Sequence, residues 1–202
     1  MKEPDDGELW SAIARGDPDA FGLLFERHAR RIFAYCFRRT ADKARAEDLT
    51  SMVFLECWRR RAVELEGEKV LPWLYGIATN VCRHERRSLR RHRAALARLP
   101  AATAEPDVAE ATVERLGDER DMREVLALVS RLPQREQDVL ALCVWSGLSY
   151  QEAASALGVP IGTVRSRLAR ARARLQSALE TEHGMRAQRD VTPDFVPDKG
   201  VE

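Results

Sequence analysis

Residues 148–175 read LSYQEAASALGVPIGTVRSRLARARARL, and this stretch decides the fold of the C-terminal part of the chain. Ser149 and Glu152 form a capping box, because a hydroxyl and a carboxylate at this spacing satisfy the free amides at a helix start. Gly158 and Pro160 then form a turn, since glycine tolerates a left-handed backbone and proline fixes the first-turn dihedral of the next helix. The pattern predicts two helices joined by a short turn.

The second of these helices has an apolar face and a basic face. Apolar residues recur at spacings of three and four between Ile161 and Leu175, so they share one side of the helix and face a core. Five arginines and no acidic residue occur between Thr163 and Arg174. Such a pair of helices is typical of a helix-turn-helix, in which the second helix enters the major groove of DNA. A solvated basic helix in a bundle is the alternative.

The composition allows one or two small helical domains. The chain has 202 residues, of which 32% are charged and 45% hydrophobic, and domains usually contain ~100–200 residues. The net charge of +1 is an average over opposed patches, because arginines concentrate at 83–93 and 165–174 while acidic residues concentrate at 105–121. A near-neutral net charge therefore does not exclude nucleic-acid binding.

The reactive side chains predict no catalytic site, no metal site and no cofactor. The four cysteines lie within apolar helical patterns and form no close pair, which favours buried reduced thiols. Cys82 with His84 and His92 lacks a fourth ligand at zinc-finger spacing, and the neighbouring arginines repel a cation. No nucleophile has an adjacent base, and no glycine loop is of the phosphate-binding type. We therefore expect a protein that is not an enzyme.

The sequence carries no membrane or export signal. Its first ten residues, MKEPDDGELW, contain no apolar signal core. No run of residues approaches the ~18 apolar residues of a membrane span. We therefore expect a cytoplasmic protein without membrane insertion.

Helical periodicity extends along most of the chain and predicts an all-α fold of two small domains. Asp17 and Pro18 predict the start of a helix that carries His28 on its apolar side, where a packed histidine is favoured over a ligand. A loop is predicted at 61–70, and further helices at 46–60, 71–96, 121–131 and 134–145. The acidic stretch 99–120 predicts a flexible linker. The predicted divisions are 1–98 for the first domain, 121–180 for the second and 181–202 for a flexible C-terminal tail.

The helix predicted at 71–96 changes character along its length. Its first half is apolar and includes Trp73 and Tyr75. Arginines are crowded in the second half of the helix, where they repel one another and need a compensating partner. A basic surface beside an exposed aromatic ring suits single-stranded nucleic acid, because every base has a face that can stack. Trp73 can equally be a core residue. The second half of the helix carries six arginines, which are Arg83, Arg86, Arg87, Arg90, Arg91 and Arg93.

Three motifs in this order resemble those of a known family. They are AEDLTSMVFLECW at 46–58, LPWLYGIATN at 71–80 and LPQREQDVLALCVWSGLSYQEAASALGVPIGTVRSRLARAR at 132–172. They resemble the extracytoplasmic-function (ECF, group IV) sigma factors of the bacterial sigma-70 family, and the likeness extends over residues 17–176. The resemblance implies two helical domains, similar to sigma regions 2 and 4, that bind core RNA polymerase as an initiation subunit.

The resemblance assigns a polymerase contact to the helix at 46–58. The corresponding family segment grips the clamp helices of the largest polymerase subunit, and the family's second domain contacts the flap of the second subunit. Asp48 and Leu49 match the family pattern, whereas Ser51 and Met52 stand where Gln and Glu are common. The expected polymerase-binding residues are Asp48, Leu49, Ser51 and Met52.

The resemblance also assigns two promoter contacts. The loop at 61–70 corresponds to the loop that captures a base flipped out of the melted minus-ten element. Asn80 matches an asparagine that contacts the non-template strand there, and His84 stands where an aspartate is common. The expected contacts to the minus-ten single strand are Trp73, Asn80, Arg83, His84, Arg86 and Arg87. The helix at 160–175 resembles the reader of the minus-thirty-five duplex, with expected contacts from Thr163, Arg165, Ser166, Arg167 and Arg170.

Two other classes of protein remain as alternatives. A LuxR-type transcriptional regulator would share the C-terminal helix-turn-helix but carry a sensor or dimerisation domain at 1–98. A helical metal-dependent hydrolase would need clustered His and Asp, whereas the four histidines here are dispersed. Under the sigma-factor hypothesis the expected partners are core RNA polymerase, promoter DNA and an anti-sigma factor or other regulatory protein.

Overall fold

A computed structural model describes residues 3–96 and 113–190, and every regular element in these ranges is helical. This confirms the all-α prediction for the described residues. The π-helical turn Ala141–Trp145 continues α6 directly. The α-helices are α1 (Asp6–Ala14), α2 (Pro18–Thr40), α3 (Lys43–Arg59), α4 (Gly67–Leu96), α5 (Val113–Ser130), α6 (Gln134–Leu140), α7 (Tyr150–Leu157) and α8 (Ile161–Asp190).

Helices α1–α4 form the N-terminal domain. The Asp17 carboxylate accepts hydrogen bonds from the Asp19 and Ala20 amides, and Pro18 is the first residue of α2, as predicted. His28 is a packed histidine, because its buried Nε2 lies 2.7 Å from Asp6 Oδ2 and so ties α2 to α1. The core between the helices contains fully buried apolar side chains such as Leu24, Ile32, Tyr35, Val53 and Leu74.

Helix α4 begins earlier than the sequence pattern indicates. The predicted start was Leu71-Pro72, but the helix begins at Gly67 and contains Pro72 in its interior. Proline there removes one backbone hydrogen bond. Val70 in the additional turn is fully buried in the core, and burial of a valine side chain stabilises by about 1.5–3 kcal/mol. That burial offsets the missing hydrogen bond.

Two predicted irregular segments are partly helical. Helix α5 begins at Val113, within the predicted linker 99–120, and α8 extends to Asp190, within the predicted tail 181–202. The added turns at 113–120 contain two Glu, two Arg and one Leu, and those at 181–190 contain two Arg, one Gln, one Met and one Ala, all of which have a favourable intrinsic helix propensity. The rest of the predicted linker, from 99 to 112, and the tail from 191 onward lie outside the described residues.

Helices α5–α8 form the C-terminal domain, which contains the predicted helix-turn-helix. Ser149 Oγ accepts from the Glu152 amide at 3.2 Å, and Glu152 Oε2 accepts from the Ser149 amide at 2.7 Å. Gly158 has a φ of 63°, so the turn between α7 and α8 uses the left-handed backbone that glycine allows. Val164, Leu168 and Ala171 of α8 are buried and form the predicted apolar stripe.

The two domains pack against each other in the structure. Helix α4 of the N-terminal domain contacts α7, and α2 contacts the π-helical turn. One continuous core includes Leu74 and Ala78 from the first domain and Leu142, Ala153 and Leu168 from the second. Among residues 3–96 and 113–190, no helix combines the length and apolar character needed to cross a bilayer.

The capping box gives a test of the helix-turn-helix. Replacing Ser149 with alanine leaves the Glu152 amide without its cap, and such a change costs about 1 kcal/mol. We expect Ser149→Ala to lower the free energy of unfolding of the C-terminal domain by this amount in chemical denaturation followed by hydrogen exchange of α7. Ser155→Ala, at an exposed position of the same helix, is the matched control. Equal stability of the two variants would contradict the cap.

Candidate nucleic-acid interface

One face of α8 presents polar and basic side chains to solvent, opposite the buried Val164–Leu168–Ala171 stripe. Arg165, Ser166 and Arg170 are exposed, and Thr163 and Arg167 are partly exposed. Within the described part of the chain, no carboxylate pairs with Arg165, Arg167 or Arg170. The five residues predicted to contact duplex DNA therefore lie along one helix. Its arginines Arg165, Arg167 and Arg170 lack a carboxylate partner there, although the Arg165 guanidinium lies 6.0 Å from the centre of the Tyr150 ring.

Arg174 has a different role from the other arginines of α8. Its Nη1 donates to both carboxylate oxygens of Glu136 at 3.1 Å, and Glu136 is buried. This ion pair joins α8 to α6 inside the C-terminal domain. Sequence spacing placed Arg174 beside the basic face, but it could not reveal this partner, which lies 38 residues away.

The basic end of α4 meets α6 of the other domain. Arg83, Arg86, Arg87 and Arg90 line a cavity that also includes Gln134, Arg135 and Asp138. Burial, and then the neighbouring Arg39 and Arg90, lower the pKa of Arg86 from its ordinary value. Arg83 and Arg86 are partly buried and bonded to α6, whereas Arg87 and Arg90 are exposed. Of the arginines predicted to contact the single strand, Arg83 and Arg86 are thus hydrogen-bonded to α6, whereas Arg87 is exposed.

Asn80 and His84 lie on an open groove between α3 and α4. They are exposed and line a cavity of about 340 Å³ together with Met52, Leu55 and Ile77. Trp73 lies seven residues before Asn80, which is close to two helical turns, so it continues the same row of side chains. The structure therefore brings Asn80 and His84 close to the residues of α3 that were predicted to bind polymerase.

The aromatic residues at the start of α4 differ in accessibility. Trp73 is partly buried and packs edge to face against Trp10, with ring centroids 4.9 Å apart. Tyr75 is 3% exposed and packs against Tyr35 at 5.5 Å. Of the two aromatic residues at the start of this helix, Tyr75 is therefore too deeply buried to stack on a base in this conformation. Trp10 Nε1 also donates to the Val63 carbonyl at 2.8 Å, which holds the loop after α3 near α1.

The outer face of α3 combines the acidic residues Glu47 and Asp48 with exposed apolar side chains. Asp48 and Ser51 are exposed, and Met52 and Leu55 are 52% and 51% exposed. Leu49 is only 3% exposed, so the prediction that it contacts a partner is wrong here. Leu49 belongs to the periodic apolar side of α3 and fixes the helix against the core.

An apolar groove beside this face was not predicted. It has a volume of about 450 Å³ and lies between α2 and α3. Phe25 is 41% exposed, although its neighbour Leu24 on α2 is fully buried. Leu55 could have been found from sequence, because it lies off the buried Leu49–Val53–Cys57 stripe. The groove is lined by Pro18, Phe21, Phe25, Ser51, Phe54, Leu55 and Trp58.

The four cysteines are free thiols in the structure, but the Sγ atoms of Cys36 and Cys82 lie 4.0 Å apart, so the fold brings together two cysteines that the sequence pattern keeps apart. Cys36, Cys57 and Cys82 are buried and Cys143 is partly buried. Burial raises the pKa of the Cys57 thiol to about 12, so it is protonated at neutral pH. Among the described residues, no group of three or more His, Cys, Asp or Glu side chains is arranged to hold a metal ion.

Two family models match the chain, one in each of its two helical parts. The family model described as Sigma-70 region 2 matches residues 24–92, and the model described as Sigma-70, region 4 matches residues 122–175. The LuxR-type alternative is not supported, because the region 2 match occupies the part of the chain where a sensor domain would lie.

Several curated relatives are sigma factors. The chain is 31% identical to RNA polymerase sigma factor NccH of Alcaligenes xylosoxydans xylosoxydans over 90% of this chain and 98% of that protein. It is 31% identical to ECF RNA polymerase sigma factor SigE of Mycolicibacterium smegmatis, covering 92% of this chain and 74% of that protein. It is 32% identical to the probable RNA polymerase sigma factor RfaY of Xanthomonas campestris pv. campestris, but the match spans only 42% of that longer protein.

Solved structures share the fold. CnrH, in complex with the cytosolic domain of CnrY, has a TM-score of 0.64 and 23% identity, with 87% of this chain and 97% of that chain covered. The sigma factor RpoE of Bartonella quintana, in complex with the anti-sigma factor NepR, has a TM-score of 0.54 and 22% identity, with 79% and 96% covered. The chain belongs to the sigma-70 family of RNA polymerase sigma factors, within the extracytoplasmic-function group.

Proposed function

We propose that this sigma factor recognises promoters through two separate surfaces, the exposed face of α8 and the Asn80 groove with the basic end of α4. The observation that carries the proposal is the row of uncompensated arginines on α8, set opposite a buried apolar stripe in a capped helix-turn-helix. A helix held in this way can enter the major groove with its basic face toward the bases.

The face of α8 binds the minus-thirty-five duplex. Arginine forms bidentate hydrogen bonds with guanine O6 and N7, which suits the exposed guanidiniums of Arg165, Arg167 and Arg170. Thr163 lies in the first turn, where backbone amides at a helix N-terminus favour a phosphate, and Ser166 follows one turn later with its hydroxyl donating to the Thr163 carbonyl at 3.1 Å. Phosphate contacts set the orientation of the helix and base contacts give the sequence preference.

The groove around Asn80 receives the melted minus-ten strand. Extruding a base from the stack costs a few kcal/mol, which binding of that base must offset. Asn80 and His84 offer hydrogen-bonding groups beside the apolar side chains of Ile77 and Val81, and the exposed Arg87 can neutralise the strand's phosphates. Trp73 lies in the same row of side chains and is partly exposed, so its ring can contact a base.

The outer face of α3 docks on core polymerase. Exposed apolar side chains grouped beside polar ones mark protein interaction sites, and Met52, Leu55 and Phe25 form such a group next to Asp48 and Ser51. We assign this face to the clamp helices of the largest subunit. The C-terminal domain contacts the flap of the second subunit.

The chain acts as an initiation factor and contributes no catalytic residue to RNA synthesis. The polymerase carries out the covalent chemistry, and the sigma factor selects and opens the promoter in the cytoplasm. CnrH and the Bartonella RpoE occur in complexes with CnrY and the anti-sigma factor NepR. We propose that a regulatory protein of this kind also binds the present chain, and that it binds in the apolar groove between α2 and α3.

Arg170 tests the minus-thirty-five assignment. Loss of one bidentate base contact costs about 1–3 kcal/mol, so we expect Arg170→Ala to reduce promoter-specific transcription by core polymerase about tenfold or more. Arg170→Lys keeps the charge but loses the planar pair of donors. It is expected to retain DNA binding while relaxing the preference at one base pair, measured by selection from a genomic-fragment library. Wild-type selectivity in both variants would contradict a base contact.

Leu55 tests the polymerase assignment. A glutamate at this position places a charge in the apolar part of the interface, where an unpaired buried charge is costly. We expect Leu55→Glu to weaken binding to core polymerase about tenfold or more in a titration followed by fluorescence anisotropy. Leu23→Glu is the matched control, because Leu23 is 47% exposed on α2 and lies on the other side of that helix from Phe25. Equal losses in both variants would count against this face as the docking site.

A further inference from the structure

The two domains meet at a fully buried carboxylate. Asp138 of α6 has 0% of its side chain exposed. Its Oδ1 accepts from Arg39 Nη2 of α2 at 2.8 Å, and its Oδ2 accepts from Arg83 of α4 through Nη2 at 2.7 Å and Nε at 2.9 Å. Gln134 Nε2 donates to Oδ1 at 2.9 Å. A buried charge with several charge-assisted hydrogen bonds is well compensated, but losing either partner is costly.

Further arginines of the N-terminal domain bond to the same part of the C-terminal domain. Arg86 Nη1 donates to Gln134 Oε1 at 2.8 Å and also to Gln137 Oε1. Arg38 Nη1 donates to the Trp145 carbonyl at 3.0 Å. Four arginines of α2 and α4 are therefore bound by α6 and the π-helical turn that continues it.

A second contact between the domains depends on a glycine. A Cβ atom at Gly76, in α4, would lie 2.7 Å from the carbonyl oxygen of Ala156, in α7. The obstacle is backbone, so it cannot rotate away as a side chain would. Glycine inside a helix costs roughly 0.5–1 kcal/mol relative to alanine. Gly76 thus permits an approach of α4 to α7 that any other residue would prevent.

The arginines held by Asp138 and its neighbours overlap with those assigned to DNA. Arg83 and Arg86 belong to the expected minus-ten contacts, and a guanidinium that pairs with a carboxylate is not free to pair with a phosphate. The face of α8 is not affected in this way, since Arg165 and Arg170 remain exposed. The packed arrangement therefore occupies part of one promoter-binding surface and leaves the other accessible.

We propose that the C-terminal domain of the free chain competes with the minus-ten strand, with Asp138 taking the place of a DNA phosphate on Arg83 until the domains separate. This inference rests on the proposed function of Arg83. When only a fraction of molecules is binding-competent, the apparent dissociation constant is the intrinsic one divided by that fraction. Variants that separate the domains then bind single strands more tightly, while their binding of duplex through α8 stays the same.

Gly76→Ala in the full-length chain tests this competition. Alanine is the better helix former, so α4 itself is not weakened, and only the approach to α7 is blocked. The matched control is Gly22→Ala in α2, where a Cβ meets no atom within 4 Å. The two readouts are the radius of gyration from small-angle X-ray scattering and the affinity for a fluorescein-labelled single-stranded oligonucleotide of mixed sequence.

We expect Gly76→Ala to increase the radius of gyration and to bind the oligonucleotide about fivefold more tightly than the wild type and Gly22→Ala. Asp138→Asn should change both readouts in the same direction, because it leaves Arg39 buried without its counter-charge. Arg83→Ala in the Gly76→Ala chain should remove the gain.

Two results would overturn the proposal, and they differ in whether the proposed DNA-binding role of Arg83 survives. If Gly76→Ala expands the chain without a gain in affinity, while Arg83→Ala still weakens binding by the wild type, the competition is absent and the role of Arg83 in DNA binding survives. If no chain binds the oligonucleotide in an Arg83-dependent way, expanded or not, the minus-ten assignment of Arg83 fails and the competition fails with it.

Discussion

The buried ion pairs of Asp138 set the relation between the two domains. The carboxylate is removed from water, and its charge is balanced by Arg39 and Arg83 from two different helices of the other domain. Breaking either pair without separating the domains would leave an uncompensated charge in the interior, which costs several kcal/mol. Separation of the domains breaks both ion pairs at once. The ion pairs therefore favour two states, packed or open, over intermediate ones.

This constraint connects the fold to the proposed function. The basic end of α4 is the part of the N-terminal domain with the highest density of positive charge, and it is covered partly by α6 in the packed state. The uncovered surfaces are the face of α8, the Asn80 groove and the outer face of α3. In the packed chain, the surfaces that we propose for polymerase docking and duplex recognition are thus exposed, while the arginines of α4 are only partly free.

Local signals in the sequence predicted the helices and the helix-turn-helix, because caps, turns and periodicity act over a few residues. Ser149, Gly158 and the Val164–Leu168–Ala171 stripe were found in this way. Family resemblance supplied the assignments to polymerase and promoter, which remain proposals for individual residues. The sequence could not identify Asp138, because its partners lie 55 and 99 residues away. Likewise, the exposure of Phe25, the burial of Tyr75 and the start of α4 at Gly67 depend on which neighbouring helices pack against them.

The most direct test of this account is the distance between the domains before and after the chain binds core polymerase. Fluorescent labels at Ser11→Cys in α1 and Ser155→Cys in α7, both exposed positions, can report it by energy transfer in a Cys143→Ala background whose other thiols are buried. We predict efficient transfer in the free chain and a clear decrease when core polymerase is added, as α6 leaves Arg83. Unchanged transfer in a complex that still initiates at discrete promoters would contradict the account.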